Sequence, residues 1–401
     1  MIHKLLLALA SAGFLAAAGR ASGALEGQTN GVVAGNTAFA CELYGQLKGG
    51  EGNLFFSPYS ISTCLAMTYA GARGETEKEM ARVMHWGTNR NEVQAGFGEL
   101  QKQLNEAQNK VELNVANALW AQKGHPFLPD FLKVAQEHYA ANVKQIDFGR
   151  EAIPASREIN AWVEEKTKGK IRELVEPGMF NEYTRLVLAD AIYFKGSWEQ
   201  PFPPKATSTQ PFHISKKRKV DAPLMTQTER FGYFETESIQ VVELPYLGHD
   251  LAMTVFLPKW ADHFSDFEKA LKPENLPFWL GRLKEEKVEV WLPRFKMESS
   301  YELKTNLMAM GMAEAFGQAA DFSGMDGAKD LFISSIRHKA FVETDEKGTE
   351  AAAATGMMLE SKSIEMDRPP VFRADHPFIF LIRDRRSGSI LFLGRVVNPS
   401  K

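Results

Sequence analysis

Cysteine is scarce in this sequence of 401 residues, which contains only Cys41 and Cys64. Small secreted domains that cannot build a large core depend on several disulfides, so the chain is not of that class. Apolar residues make up 44% of the sequence, which is enough to form a large core without such staples. Both cysteines fall on apolar faces of predicted helices, where free cysteine packs as a small hydrophobe. We therefore expect two buried free thiols.

The sequence also lacks an apolar run of the length that spans a membrane, which is about 20 residues. Its N-terminal run, Leu5 to Ala18, follows the basic residues His3 and Lys4 and is succeeded by small residues. This pattern is typical of a cleavable secretory signal. We predict that residues 1–24 are removed and that the mature protein begins near Leu25. The protein is then expected to be secreted, into a periplasm or out of the cell.

The sequence also lacks a large excess of charge of either sign, because the formal net charge is only −3. Proteins that bind nucleic acid or anionic membranes usually carry a basic surface, so neither partner is expected. The basic run Lys216 to Lys219 lies between two strand-like segments and has no interleaved aromatic residues. We interpret it as a solvated hairpin tip.

The common enzyme signatures are missing: there is no HExxH helix, GxSxG elbow, phosphate-binding loop, GxGxxG turn or CxxC pair. The nine histidines are scattered without the spacing of metal ligands. We therefore expect neither an enzyme nor a protein with a metal or other cofactor.

Helical patterns dominate the first half of the chain and strand patterns the second, which predicts an α+β fold. One predicted helix has Ser57 as its N-cap and Pro58 at its first position, and Thr76 with Glu79 has the pattern of a capping box for the next. Further helices are predicted at Asn91–Glu106, Pro129–Ala140, Ile153–Lys168 and Phe264–Ala270. Strands are predicted at Leu186–Phe194, Val241–Pro245, Leu251–Leu257, Val288–Leu292, Phe378–Ile382 and Ile390–Val397.

Several motifs together resemble the serpin family. They begin with NLFFSPYSI at Asn53 and continue, in the family's order, over about 350 residues. The further matching segments are LAMTYAGARGET at Leu65, LNVANALW at Leu113, VKQIDF at Val143, INAWVEEKTKGKI at Ile159, AIYFKGSW at Ala191, LPRF at Leu292, GTEAAAA at Gly348, and ADHPFIF with FLGRVVNP between Phe372 and Pro399.

The resemblance implies a single domain over residues 25–401 with three β-sheets and eight or nine helices. It also implies an exposed reactive-centre loop at about residues 346–368, which a serine protease cleaves. The cleaved loop then inserts as a strand into the central sheet and carries the acyl-linked protease to the far pole, where its active site is distorted. The chain is accordingly expected to be a suicide inhibitor of serine endopeptidases.

The start of this loop, Glu346 to Thr355, corresponds to the family's hinge and consists of Glu346, Lys347, Gly348, Thr349, Glu350, Ala351, Ala352, Ala353, Ala354 and Thr355. On composition alone the alanines could form a short surface helix. As a strand, the segment would place Thr349, Ala351, Ala353 and Thr355 on one face, all small enough to be buried. Gly348 would supply the backbone freedom of a hinge.

In serpins the cut falls fourteen residues beyond the hinge glycine, which here gives the bond between Lys362 and Ser363. A lysine at this position would enter an acidic specificity pocket and predicts a trypsin-like target. Met358, Leu359 and Met366 offer chymotrypsin-like or elastase-like alternatives, with a cut near Met358–Leu359.

Two further sites follow from the resemblance. At the top of the sheet, the breach, Trp198 matches the family's tryptophan and Glu346 is expected to pair with Arg294. Beneath the centre of the sheet, the shutter comprises the four residues Ser57, Ser60, Asp190 and His338.

Asp190 departs from the family pattern, because serpins usually have asparagine at this position. A buried carboxylate needs a partner, so an Asp190–His338 hydrogen bond is predicted, and with it the hypothesis of pH-sensitive gating.

Heparin-binding members carry basic residues on the helix at Asn91–Glu106, where this chain has Lys102 alone, with Arg90 nearby. Activation by heparin is therefore not expected. The protein should be a monomer that is capable of loop–sheet polymerisation. The alternative function is that of a non-inhibitory serpin, a chaperone, carrier or storage protein, but such members often have unsuitable residues at the inward hinge positions.

Overall fold

The computed structural model describes residues 27–107, 111–139, 141–349 and 368–400. These residues form ten α-helices, fifteen β-strands and three short 3-10 helices. The α-helices are α1 (27–47), α2 (Pro58–Tyr69), α3 (Gly74–Val83), α4 (Arg90–Ala107), α5 (Pro129–Tyr139), α6 (Ala152–Lys166), α7 (Phe264–Ala270), α8 (Asn275–Leu280), α9 (Lys304–Ala309) and α10 (Ser323–Asp326).

The strands are β1 (Leu54–Phe56), β2 (Val111–Gln122), β3 (Asn142–Ile146), β4 (Leu186–Ser197), β5 (Ser208–Ser215), β6 (Arg218–Glu235), β7 (Ile239–Pro245), β8 (Leu251–Pro258), β9 (Lys284–Pro293), β10 (Phe295–Glu302), β11 (Ile333–Asp345), β12 (Gly348–Thr349), β13 (Val371–Arg373), β14 (Phe378–Asp384) and β15 (Ile390–Val396). The 3-10 helices lie at Pro204–Ala206, Ala261–His263 and Glu314–Phe316. Each helix and strand predicted above is present, with bounds that differ by a few residues.

Helix α2 is buried at all twelve of its residues. It begins as the sequence predicts, because the Ser57 side chain accepts a hydrogen bond from the amide of Ser60 and Pro58 occupies the first turn. A helix buried on every side lies inside the molecule and packs against the sheets around it. The first turn of α2 is thereby held beneath the central sheet.

The predicted capping box of the next helix is wrong. Helix α3 starts two residues earlier than Thr76, at Gly74, and its N-cap Arg73 makes no side-chain capping bond. The Thr76 hydroxyl instead accepts the amide of Asp321 at 2.9 Å, and the Glu79 carboxylate accepts the amide of Glu314 at 2.7 Å. Both side chains therefore fix segments distant in sequence, because tertiary partners have replaced the local ones.

Hydrogen bonding joins the strands into two sheets. The larger has nine strands, in the order β1-β15-β14-β8-β7-β6-β9-β13, with β5 paired to β6. The other has six strands in the order β10-β11-β12-β4-β2-β3, and is called the central sheet below. The α+β class is confirmed, whereas the described residues contain two continuous sheets instead of three and ten helices instead of eight or nine.

The long strand β6 explains the difference in sheet number. Its first part pairs with β5 and its last part with β7, while β9 pairs along its middle. One strand of 18 residues thus joins two groups of strands that would otherwise be counted as separate sheets.

Both cysteines are buried and free. Burial, with a smaller contribution from Glu274 and Glu42, raises the pKa of the Cys41 thiol to about 12. Burial likewise raises the pKa of Cys64 well above its ordinary value. The expectation of two buried free thiols is confirmed, and both are held in the unreactive protonated form.

Across the described part of the chain, no helix combines the length and apolar character that crossing a membrane requires.

The run Lys216 to Lys219 is exposed at the turn between β5 and β6, as predicted. Lys216 pairs there with Asp262.

Candidate functional site

The hinge lies at one end of the central sheet. Strand β12 comprises Gly348 and Thr349 and lies between β11 and β4, antiparallel to both. Below this point β11 and β4 pair directly and in parallel, from Ile333 opposite Leu186 up to Phe341 opposite Tyr193. The two strands therefore diverge only at their upper end, where β12 enters.

The place where β12 enters the sheet requires a glycine at position 348. Its φ is +150°, a value that residues with a side chain rarely adopt, and a Cβ built on it would lie 2.0 Å from the carbonyl oxygen of Gly196. The hinge backbone can approach β4 this closely only because position 348 has no side chain.

Thr349 is fully buried and points toward the interior. Its hydroxyl hydrogen-bonds to the Tyr246 hydroxyl at 2.7 Å and lies 3.4 Å from the Thr344 hydroxyl. Burial raises the pKa of Tyr246, which therefore stays protonated and able to donate. The inward orientation expected for Thr349 is present in the structure.

Glu346 anchors the two-residue turn that joins β11 to β12. Arg294 donates two hydrogen bonds to its carboxylate, one from Nε at 2.9 Å and one from Nη2, and the Thr207 hydroxyl donates a third. Burial alone would raise the pKa of Glu346, but the hydrogen bonds from Arg294 and Thr207 outweigh it and hold the pKa below its ordinary value. The predicted pair of Glu346 with Arg294 is thus present, with Thr207 as an additional partner.

Trp198 closes the same end of the sheet and is 2% exposed. Its indole Nε1 donates to the carbonyl of Asp345 at 2.9 Å, and its amide donates to the carbonyl of Lys347, also at 2.9 Å. The ring stacks on Tyr246 with centroids 4.7 Å apart. Trp198 therefore holds the hinge backbone by hydrogen bonds in addition to packing in the core.

Under the middle of the sheet, the four residues of the shutter meet in one fully buried network. His338 Nδ1 lies 3.0 Å from Asp190 Oδ2, and the Ser60 hydroxyl donates to the other oxygen of Asp190. The Ser57 hydroxyl donates to the carbonyl of Leu391 at 2.6 Å. The network joins β4 and β11, which carry Asp190 and His338 directly opposite each other, to the start of α2.

The hydrogen bonds also specify the tautomer of His338. Its Nε2 accepts the backbone N–H of Ser57 at 3.0 Å, so that nitrogen carries no proton. The proton of a neutral imidazole then resides on Nδ1 and is donated to the carboxylate of Asp190. Protonation of Nε2 would place a second N–H against that of Ser57.

Asn117 on β2 belongs to the same network, although it is not among the residues predicted from the sequence. Its Nδ2 donates to the carbonyl of Ser60 at 3.0 Å, and its Oδ1 lies 3.2 Å from the Ser60 hydroxyl. Asn117 is also the register partner of Asp190. The available signal was a pair of asparagines, Asn114 and Asn117, within the otherwise apolar segment LNVANALW.

The remaining predicted positions, Glu350 to Thr355 with Lys362 and Ser363, lie outside the described residues. The structure thus brings together the breach, the shutter and the first part of the hinge.

Comparison with known proteins identifies this arrangement. The family model described as serpin (serine protease inhibitor) matches residues 34–399. The chain belongs to the serpin family. Because this family is one of protease inhibitors, the expectation of an inhibitor instead of an enzyme is confirmed.

Relatives of this serpin occur in distant organisms. The leukocyte elastase inhibitor of Bos taurus is 43% identical over 380 residues, which cover 91% of this chain and 99% of the bovine protein. The human protein of the same name is 41% identical over 382 residues, covering 91% and 98%. A serpin-like protein of Thermococcus kodakarensis is 42% identical over 376 residues, covering 93% and 87%.

Solved structures agree with the serpin fold. Serpin48 of the insect Tenebrio molitor has a TM-score of 0.83 and 35% identity, over 92% of this chain and 98% of that one. Uncleaved ovalbumin has a TM-score of 0.82 and 30% identity, over 92% and 100%. Human thyroxine-binding globulin, complexed with thyroxine, has a TM-score of 0.84 and 32% identity, over 93% of this chain and 100% of that one.

The Glu346–Arg294 pair predicts a pH-dependent contribution to stability. Replacing Arg294 with glutamine should lower the free energy of unfolding by about 1–3 kcal/mol at pH 7, because a buried carboxylate loses its charged donor. Since the pKa of Glu346 is lowered, the stabilisation is fully present above its ordinary value of 4.5 and disappears as the pH falls through the lowered value.

Urea unfolding of wild type and Arg294→Gln from pH 7 downward measures this difference, and size-exclusion chromatography after mild heating should show more polymer for the variant. Arg230→Gln is the control, because Arg230 pairs with Glu285 on the exposed surface. A difference between wild type and Arg294→Gln that does not shrink at low pH would contradict the assignment.

The shutter predicts that Asp190 is needed as an acceptor and, separately, as a charge. Asp190→Ala leaves the donors of His338 and Ser60 without an acceptor and should lower the free energy of unfolding by about 2–4 kcal/mol. Asp190→Asn keeps one acceptor oxygen and should lower the free energy of unfolding by less than Asp190→Ala does. Only the carboxylate places a negative charge beside His338, so the inhibition rates of wild type and Asp190→Asn should change differently with pH. Identical pH profiles would exclude pH-sensitive gating through this pair.

Proposed function

We propose that this serpin traps serine endopeptidases by inserting its cleaved reactive-centre loop between β4 and β11. The position of β12 carries this proposal, because the first two residues of the inserting strand already lie between those strands. Adding a strand to a sheet is an established mode of recognition, and serpin loop insertion is a known example of it.

The register of β12 supports continued insertion. Thr349 is opposite Gly196 on β4 and Thr344 on β11. Continuing in steps of two places Ala351 between Phe194 and Val342, which are both fully buried. Small side chains at these inward positions can enter a sheet that is already packed, whereas large or charged ones cannot.

The same register brings Thr355 to the level of Asp190 and His338. The hydrogen bond between these two residues crosses the gap that insertion must open. The Thr355 hydroxyl can accept the His338 proton and donate its own to Asp190, so the inserted strand can restore the lost bond. The shutter would then be satisfied both before and after insertion.

The target protease follows from the cleaved bond. We propose Lys362–Ser363 and a trypsin-like target, because a lysine side chain fits an acidic specificity pocket. A second candidate is an elastase-like or chymotrypsin-like protease that cuts near Met358–Leu359. The name leukocyte elastase inhibitor, carried by the bovine and human relatives, favours this second target.

Incubation with trypsin, chymotrypsin and elastase in separate reactions tests the proposal. An SDS-stable complex with trypsin and a released peptide that begins at Ser363 are expected. Lys362→Ala should slow formation of the trypsin complex about a hundredfold or more, because the charged specificity contact is lost. Met358→Ala is the matched control and should leave the trypsin rate unchanged. A peptide beginning at Leu359, with elastase trapped, would establish the second candidate, and plain turnover by every protease would refute inhibition.

The hinge predicts a second test of the mechanism. Thr349→Arg places a long cation at an inward, fully buried position and should stall insertion, so that the protein is cleaved as a substrate and the complex is lost. Glu350→Arg changes the neighbouring position, which is expected on the outward face, and should retain inhibition. The ratio of complex to cleaved serpin on SDS gels measures both, and equal inhibition by the two variants would rule out the proposed orientation.

We further propose that residues 1–24 are removed during secretion and that the protein acts as a monomer outside the cell or in a periplasm. Expression of the full-length chain in a secreting host, followed by N-terminal sequencing of the exported protein, should give a start near Leu25. Retention in the cell with Met1 or His3 still present would contradict secretion.

A further inference from the structure

We propose a binding site for a divalent transition ion of the zinc type at the end of the central sheet opposite the hinge. Its ligands are His125, Asp326 and Asp330, whose donor atoms all lie within 4.8 Å of one another. His125 lies in the segment between β2 and α5, Asp326 ends α10, and Asp330 lies in the segment that leads into β11.

One of the two distances that His125 makes suits a pair of ligands that share an ion. His125 Nδ1 lies 3.3 Å from Asp326 Oδ2 and 3.9 Å from Asp330 Oδ1. Ligands at about 2.0–2.1 Å from a tetrahedral zinc ion are separated by about 3.3 Å. A charge-assisted hydrogen bond between the same groups would be shorter, at about 2.7–2.9 Å. The spacing of His125 and Asp326 therefore matches an edge of a metal tetrahedron, whereas Asp330 must move closer to His125 when an ion binds.

Neighbouring groups orient two of the three ligands. Asp326 Oδ1 accepts the amide of Ala328 at 2.9 Å, which leaves Oδ2 directed at His125. Gln145 accepts the amide of Gly124 at 3.1 Å and donates to the carbonyl of His125 at 2.6 Å, so the segment that carries the imidazole is tied to β3. Such outer contacts are typical of metal sites, where they fix the first ligands.

The negative charge of the two carboxylates favours binding of a cation. The Asp326 side chain is 1% exposed and that of Asp330 is 63% exposed, and within the described residues neither forms an ion pair with a lysine or arginine. Nearby Lys329 instead pairs with Asp321 at 2.6 Å. Because Asp330 is exposed, an ion can reach the three side chains from solvent. A water molecule can then serve as a further ligand of the ion. An imidazole nitrogen among the donors favours zinc, cobalt or nickel over calcium and magnesium, which prefer oxygen ligands alone.

The location of the site couples it to loop insertion, an inference that rests on the proposed function. The segment with His125 continues from β2, which pairs with β4 along residues 111–121. The segment with Asp326 and Asp330 runs into β11. An inserted strand must move β4 away from β11 by about 4.8 Å, whereas metal–ligand distances tolerate only about 0.2 Å. A bound ion would therefore hold the two halves of the central sheet together and slow insertion.

Titration of the intact protein with Co²⁺, followed by its visible absorption, and calorimetry with Zn²⁺ test the site without a protease. Asp330→Asn and His125→Gln should each weaken binding at least tenfold. The controls His213→Gln and Asp221→Asn alter an exposed histidine and an exposed aspartate on β5 and β6 and should bind as wild type does. Because Asp330 is exposed, its variant should fold normally. Equal affinity in all five proteins, or equal affinity for Zn²⁺ and Ca²⁺, would overturn the proposal.

The coupling has its own measurement. At a Zn²⁺ concentration ten times the dissociation constant, about one tenth of the protein is unoccupied, so formation of the SDS-stable complex should slow about tenfold. Asp330→Asn with the same Zn²⁺ should slow no more than about twofold, because at least half of the variant is then unoccupied, and it also controls for any effect of the ion on the protease. An unchanged rate in wild type despite measured binding would overturn the coupling. Failure to form a complex even without metal would instead refute the proposed function and leave the binding titration valid.

Discussion

The direct pairing of β4 with β11 is the interaction on which the rest of the structure depends. The two strands are parallel neighbours from Leu186 and Ile333 up to the point where β12 enters between them. Every feature of the site either stabilises this pairing or allows it to open. The hydrogen bonds of the shutter cross from β4 to β11, and the breach residues stabilise the upper end of the two strands. Among the described residues, the hinge lies at the one place where β4 and β11 separate. The molecule is thus built around a contact that its proposed function requires it to give up.

Buried polar groups are suited to hold β4 and β11 together until insertion, because their hydrogen bonds are directional. An apolar contact between β4 and β11 would yield gradually as the strands part, whereas the bond between Asp190 and His338 is either made or lost. Burial makes an unpaired polar group expensive, so the separated state is favourable only when a new partner arrives. The network therefore suits a transition between two arrangements better than a continuous deformation.

The sequence was sufficient to predict the fold class, most helices and strands, and the grouping of Ser57, Ser60, Asp190 and His338, because the motifs that carry them resemble a known family. It was not sufficient where tertiary contacts replace local ones. Thr76 and Glu79 have the spacing of a capping box, yet they bind the amides of Asp321 and Glu314, which only the folded chain brings near.

The tautomer of His338 was beyond prediction for a similar reason. It depends on the backbone N–H of Ser57 at the start of α2, a donor that the helix itself leaves without a partner. Asn117 could not be predicted, because β2 carries two asparagines, Asn114 and Asn117, and the sequence does not show which of them faces the shutter until the register is known. The number of sheets depended on β6, whose length lets one strand serve two groups of neighbours.

Trp198 has a further consequence as an optical reporter. Its indole is bonded to the carbonyl of Asp345, stacked on Tyr246 and excluded from water, so its emission depends on the position of the hinge backbone. Any event that draws the loop into the sheet or releases it must alter these surroundings. Because the chain has seven tryptophans, a variant that keeps Trp198 alone would contain a fluorescent indicator of loop movement, placed where insertion begins.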